Sequence, residues 1–344
     1  MQIKNKFILD IRTGLNPCAS RCRLCQLAHT KPSKITFDRF KSVINKFYEF
    51  KLSQKLDNMS FLFWDGYSLN SDIHEFSEMY SLHEKVGEWK MKALHLGGIH
   101  HMETDDIRKW LYDRKNIGSE YTSASYFGFG EDHNYWSNRK NDFQFLLDTQ
   151  RIAAEIDLIN EVHIFLLNST LQNLPRLLET IDKNINNVRE CIIFPPYYSG
   201  LARKYEKERL TSEQIMNLPI TVKQYLRSDF KTWKTEKEWV EYVRLLKDSE
   251  KIRLNNSHFT IELNDKNIDY IESHSCEDIL TDLFKRTFET YNQLPPISLL
   301  AEKYSDIYSD KVYMYMWDME SLWLDRYLKE NPTDFERKLT YFGR

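Results

Sequence analysis

Cys18, Cys22 and Cys25, in the segment NPCASRCRLCQLAH, put three thiols within eight residues. Three closely spaced thiolates on one loop suit an iron–sulfur cluster. A cubane normally takes four cysteines, so three leave one iron open to bind and activate a ligand. The same loop offers a second reading. His29 follows the last thiol after three residues, and with Cys18, Cys22 and Cys25 it would complete a four-ligand zinc site. An electron-transfer or redox-sensing iron–sulfur protein is a third.

The loop follows an apolar run, FILDI, that reads as a first strand. Strand-like and helix-like segments then alternate for almost two hundred residues. Strands are expected at 7–12, 59–64, 91–96, 120–127, 161–167 and 189–194. Helices are expected at 36–53, 71–88, 104–115, 141–157 and 170–184, with apolar residues three and four apart. Thr36 can cap the first helix, and Phe37, Phe40, Val43, Ile44 and Phe47 give it one stripe. Six strands alternating with helices imply parallel, right-handed βαβ units.

Polar residues at alternate strand positions separate a barrel from a flat sheet. Asp10 and Arg12 share a face, His95 interrupts strand three, Ser123 and Ser125 share a face, and His163 sits in strand five. A half-polar face inside a helix-covered sheet is costly unless it lines a wet cavity. The fold class is therefore α/β, a partial (β/α)6 barrel of parallel strands. Residues 1–197 are assigned to it. Residues 198–344 are assigned to a mainly helical C-terminal extension that closes the barrel and helps form the substrate site. There, FTIEL and NIDYI read as a short strand pair, and helices are expected near 276–291 and 315–329. Met316, Met319, Trp323 and Tyr327 form a core-facing stripe on the last.

The cysteine spacing after strand one resembles that of the radical S-adenosylmethionine (radical SAM) enzymes. The resemblance implies a 4Fe–4S cluster on Cys18, Cys22 and Cys25, with S-adenosylmethionine on the open iron. It would cover about residues 5–197. The residue before the third cysteine is often aromatic in that family; here it is Leu24, at the position of an adenine contact. Asp65-Gly66, at the end of strand two, looks like a degenerate version of the family's Gly-Gly-Glu-type motif. Ser125, Gly128, His133 and Arg139 match its pattern Ser-x-x-Gly, His-Asp, Arg, with Asn134 where Asp is usual. By that resemblance Ser125 would contact the ribose and Arg139 the methionine carboxylate.

In parallel β/α folds ligands gather at the carboxyl ends of strands. Gly97 and Gly98, in HLGGIHH, would let backbone approach a cofactor. Arg12 and His95, aimed into the lumen, are candidate catalytic side chains, and His100 and His101 lie on the adjoining loop. Cys276 begins a helix after Ser275, where a thiol has a lowered pKa. It is a candidate hydrogen-atom donor, as cysteine is thought to be in some peptide epimerases. Cys191 reads as a buried small hydrophobe. The two remaining cysteines cannot build the auxiliary clusters of SPASM-type relatives.

Composition narrows the remaining choices. Of 344 residues 41% are hydrophobic, enough for one large core or two modest ones. A net charge of −3 argues against nucleic acid or an anionic membrane as partner. The longest apolar run, VHIFLL, is too short to span a bilayer. Five cysteines with three clustered do not form a disulfide framework, and a cytoplasmic protein is expected. Strand one is read almost at the first residue, so no leader-peptide-binding domain is expected ahead of the barrel. The reaction expected is reductive cleavage of S-adenosylmethionine to a 5′-deoxyadenosyl radical that takes hydrogen from a substrate. A flavodoxin or ferredoxin would supply the electron, and the substrate would be a peptide or small metabolite, in peptide or natural-product modification.

Overall fold

The computed structural model describes residues 6–29, 31–66, 68–86, 90–246 and 257–332. Its first half alternates strand and helix in the expected order: β1 Phe7–Asn16, α1 Phe37–Ser53, β2 Met59–Gly66, α2 Ile73–Val86, β3 Ala93–His95, α3 Thr104–Ile117, β4 Tyr121–Tyr126, α4 Glu131–Ser137, α5 Asp142–Glu155, β5 Ile159–Phe165, α6 Leu174–Asn184 and β6 Val188–Phe194. Positions 87 and 88 of the expected second helix lie outside the described residues. The periodicity did not reveal α4, a seven-residue helix inside the loop after β4.

Thr36 caps α1 by accepting from the Arg39 amide at 3.4 Å. The stripe Phe40, Val43, Ile44 and Phe47 is buried, which secures α1 against the sheet through apolar area removed from water. Leu9 and Ile11 of β1 point to the same side and are fully buried. Alternation then turns Asp10 and Arg12 to the other face.

All the long strands run parallel, in two sheets ordered β2-β1-β8 and β3-β4-β5-β6. Strand β8, His258–Glu262, comes from the C-terminal half and lies beside β1, pairing Ile8 with His258 and Arg12 with Glu262. This corrects the strand pair expected there: FTIEL forms β8, but NIDYI forms helix α10, Ile268–Ser273. Apolar Ile268 and Ile271, three apart, bury one helical face. The result is a partial β/α barrel, open between β2 and β3. Register places the expected polar residues on one inner face. His95 is level with Ser123, Ser123 with Glu161, and Ser125 with His163.

The remaining elements are α7 Ser212–Met216, α8 Ile220–Lys223, β7 Lys234–Thr235, α9 Glu236–Leu245, α11 Cys276–Asn292, α12 Ile297–Tyr304, β9 Val312–Tyr313 and α13 Met316–Glu330. Strands β7 and β9 pair antiparallel. Met319 and Trp323 of α13 are fully buried, but in a second core with Trp239 and Val243 of α9 and Ile297 and Leu300 of α12. The apolar stripe of α13 therefore builds a separate small core, apart from the one behind the barrel strands.

Candidate functional site

The loop that leaves β1 is tied down on three sides. The end of β3 holds its start: the Ala19 amide donates to the Gly98 carbonyl at 2.9 Å, and the Ser20 hydroxyl donates to the Gly97 carbonyl at 2.5 Å. Asn70 donates its side-chain amide to the carbonyls of Pro17 and Gly98 at 3.0 and 2.9 Å. The Arg23 amide donates to the Trp136 carbonyl at the end of α4, at 2.8 Å. From the far side, the Leu201 amide donates to the Cys25 carbonyl at 2.8 Å. Gly200, at φ +51°, comes so close that a Cβ would sit 2.4 Å from the carbonyl oxygens of Cys25 and Gln26. Only glycine fits there.

All three cysteines of the loop are half-buried. Burial raises the Cys18 and Cys22 thiols above their ordinary pKa, and repulsion from the neighbouring cysteine sulfurs adds to it. Bare thiolates are poorly placed here, whereas thiolates on a cationic iron centre are well placed. The zinc geometry fares worse. With Zn–S near 2.3 Å, tetrahedral ligand sulfurs lie about 3.8 Å apart. Among the described residues, no three ligand atoms of Cys18, Cys22, Cys25 and His29 come within 4.8 Å of one another. His29 is otherwise engaged: Nε2 donates to the Cys22 carbonyl at 3.0 Å and its amide to Cys25 Sγ at 3.3 Å. By their chemistry, three cysteine thiols on one loop are a donor set that fits a three-point iron–sulfur cluster.

Beside the loop lies a cavity of about 700 Å³, reached by Gln26 and Leu27 just past Cys25. Arg12, Asp65, Gly66 and His95 line it, together with Asp10, Trp64, Tyr197, Ser199, Tyr315 and Trp317. Arg12 Nε donates to Asp10 Oδ2 at 2.8 Å, and His258 Nε2 meets the same oxygen at 3.0 Å. Burial works against the Asp10 charge, but His258 and Arg12 outweigh it and hold the carboxyl at about 2. Asp65 accepts from Asn16 over a long 3.5 Å, and burial pushes it up to about 7 against the lowering by that bond and by backbone amides. At Gly66, φ +101°, a Cβ would sit 2.9 Å from the Asn16 carbonyl oxygen. His95 is open to water through the cavity. Protein surrounds it on the other sides, and that enclosure, with His163 nearby, lowers its pKa.

A second polar group stands behind the loop. The buried Asp142 carboxylate, at the start of α5, meets His101 Nε2 at 2.9 Å, His133 Nε2 at 3.1 Å and Arg139 at 3.2 Å. His133 is fully buried, and its Nδ1 accepts from the Phe127 amide at 3.2 Å. This leaves the Nε2 proton for Asp142. Burial opposes the Asp142 charge, yet these partners hold its carboxyl at about 2. Arg139 reaches onward to the Ser20 hydroxyl at 2.9 Å. Asn134, where aspartate was expected, accepts from the Phe143 amide at 2.9 Å.

Of the expected catalytic and cofactor-binding residues, Leu24, Gly97, Gly98, Ser125, Arg139 and Cys276 do not line the cavity. Leu24 is 1% exposed and packs in the main core. It sits in a turn of the loop, and its burial makes it a core side chain. Cys276 is buried against α1, with its sulfur 3.7 Å from the Lys46 carbonyl, and it does not line the cavity. Burial raises its pKa, reversing the lowering expected from a helix start. Gly97 and Gly98 serve the loop through their carbonyls. Ser125 lies level with His163 on the inner face, and Arg139 pairs with Ser20 and Asp142. Periodicity could not point to Asp142, Gln26, Tyr197, Tyr315 or Trp317, since each belongs to the site only through tertiary contact.

Among solved structures the chain is similar to SuiB of Streptococcus suis bound to S-adenosylmethionine, at 10% identity over 75% of this chain and 58% of SuiB, with a TM-score of 0.45. It is similar to HemN of Escherichia coli, coproporphyrinogen III oxidase, a radical SAM enzyme, at 12% identity over 64% and 51%, TM-score 0.40. A third is anSMEcpe with bound AdoMet, at 11% identity over 96% and 100%, TM-score 0.46. The chain spans little more than half the length of SuiB and HemN. No protein-family model and no curated protein matches it. At such identities and TM-scores, function has to be argued from this chain's own residues.

Proposed function

We propose that the protein is a radical SAM enzyme whose 4Fe–4S cluster is held by Cys18, Cys22 and Cys25. The observation that carries this reading is the set of three spaced, half-buried thiols on a loop anchored on three sides beside a cavity. When bound, the cluster and S-adenosylmethionine supply a 5′-deoxyadenosyl radical that abstracts hydrogen from a substrate.

The chain's own part is positional. Gly97, Gly98, Asn70 and Gly200 fix the loop, and Arg139, backed by Asp142, steadies it through Ser20. A carbon radical reacts with any hydrogen donor it meets, so a bound substrate would have to fill the cavity and displace its water. Arg12, held by Asp10, offers guanidinium donors in the cavity for a carboxylate or carbonyl of a bound molecule. Asp65, with a pKa of about 7, can donate as well as accept near neutral pH. Arg21, exposed on the loop, puts positive charge at the surface nearest the cluster, which suits an acidic one-electron donor such as flavodoxin or ferredoxin.

The substrate we favour is a peptide side chain or a small natural product, since about 700 Å³ accommodates a group of that size. Ser199, Tyr315 and Trp317 lend support to a part for residues 198–344 in the substrate site. No helix of the described residues is long and apolar enough to cross a membrane.

The test is anaerobic purification with iron and sulfide, followed by reduction and addition of S-adenosylmethionine. The expected result is a brown protein with about four irons, a paramagnetic signal that shifts on adding S-adenosylmethionine, and formation of 5′-deoxyadenosine. Cysteine-to-alanine changes at 18, 22 and 25 should abolish all three, and His29→Ala should spare them. A colourless protein with one zinc lost in His29→Ala would overturn the reading. So would a brown protein that never cleaves S-adenosylmethionine, which would be an electron-transfer protein.

A further inference from the structure

We propose that the cavity seats an electron-rich aromatic ring of the substrate on Tyr197, Tyr315 and Trp317. This deepens the radical SAM reading and rests on it only for what happens to the ring once bound.

The three rings make a built surface. Tyr197 and Tyr315 lie 6.0 Å apart at 21°, Tyr315 and Trp317 5.5 Å at 16°, and Tyr197 and Trp317 5.4 Å at 37°. Two of the pairs are near-parallel and the third is tilted, and centroids at the corners of a triangle give a stepped floor and not a column. The floor is assembled from two distant stretches of chain, and the buried Asp318 carboxylate registers them. It accepts from the Tyr198 amide at 2.5 Å and from the Tyr315 amide at 3.3 Å. The floor is thus set before any ligand arrives.

Exposure points to a ligand. Trp317 is 37% exposed, and Trp64 and Leu27, which share the cavity wall, are 38% and 45% exposed. Large apolar groups left open together in one concave site mark a binding surface. Charge selects the kind of ligand. Arg227, which is not a cavity wall residue, stands over Tyr315 at 5.4 Å and donates to the Tyr197 hydroxyl at 3.4 Å. A cation already on one ring face makes the opposite face a weaker seat for a second cation and a better one for an electron-rich ring.

The probes are N-acetyl-L-tryptophanamide, free indole and N-acetyl-L-leucinamide, titrated calorimetrically into the full-length, cluster-loaded protein. Binding of the ring probes and at least tenfold weaker binding of the leucine amide are expected. Tyr315→Leu with Trp317→Leu keeps the wall apolar and should weaken the ring probes about tenfold, since each ring pair adds about 0.5–1.5 kcal/mol beyond area. Tyr315→Phe with Trp317→Phe should restore them. Tight binding of the blocked amide would place the ring on a peptide, and binding of indole alone would place it on a free metabolite. Equal affinity for the leucine amide, unchanged ring affinity in the leucine variant, or an equal loss of S-adenosylmethionine affinity in that variant would overturn the proposal. The last result would mean that the floor seats the cofactor's adenine. Ring binding without any 5′-deoxyadenosine would keep the seat and sink the radical reading; the converse would do the opposite.

Discussion

The Arg139 guanidinium donates to the Ser20 hydroxyl at 2.9 Å, joining the segment after α4 to the middle of the cysteine loop. Ser20 in turn donates to Gly97, so one hydroxyl links the loop to two other parts of the barrel. Ser20→Ala removes both bonds. Each is worth about 1 kcal/mol, and the loop should hold its metal less firmly. Iron retained after gel filtration under mild chelator should fall in Ser20→Ala while the far-ultraviolet dichroism stays unchanged. Full retention would show that the other anchors suffice.

Gly200 offers a sharper test of the same loop. Alanine there must adopt φ +51° and bring a Cβ to 2.4 Å from two backbone oxygens. The cost should be about 2–3 kcal/mol, delivered to the chain around Cys25. Loss of cluster loading in Gly200→Ala, with Gly130→Ala at a glycine that has open space around it as control, is the expected pattern.

Acid should weaken the fold through Asp10 and Asp142. Their folded carboxyls stand at about 2, against about 3.9 in an unfolded chain. A depressed folded value gives stability that is complete above pH 4 and lost as pH falls toward 2. Each contributes up to about 2.6 kcal/mol by that linkage. Denaturant titrations at pH 6 and pH 3 should differ accordingly, and Asp142→Asn should shrink the difference. Asp142→Ala should be worse than Asn at pH 7, by stranding Arg139 beside two histidines.

Asp65 carries the opposite sign. Its folded carboxyl is raised to about 7, so its contribution is favourable below pH 4 and is lost as pH rises through 7. Asp65→Asn should therefore stabilise the protein at pH 8, by up to about 4 kcal/mol, and do little at pH 4. Urea unfolding at the two pH values checks this. Equal effects would mean that the group stays ionised in the fold.

Cys276 should be dispensable for chemistry. Its sulfur packs against α1, so Cys276→Ala should cost about 1 kcal/mol of stability and leave 5′-deoxyadenosine formation intact. Loss of product with retained cleavage would return it to the site.

Local sequence was enough to read the alternation of strand and helix, the parallel β/α class and the polar alternation within single strands. Ligand spacing, apolar period and strand alternation are properties of neighbouring residues, and parity alone puts Asp10 with Arg12, and Ser123 with Ser125, on one face of their own strands; the register between strands then sets His95 level with Ser123. The tertiary structure decided what crosses the chain. It paired His258 with Asp10 and gathered Arg139, His101 and His133 on Asp142. It also sent Leu24 and Cys276 into the core and brought Tyr197 beside Tyr315. Whether a leucine faces a core or a cofactor, or a helix-start thiol gains or loses acidity, depends on which distant surface covers it. That is a matter of packing between segments many tens of residues apart, and no local period records it.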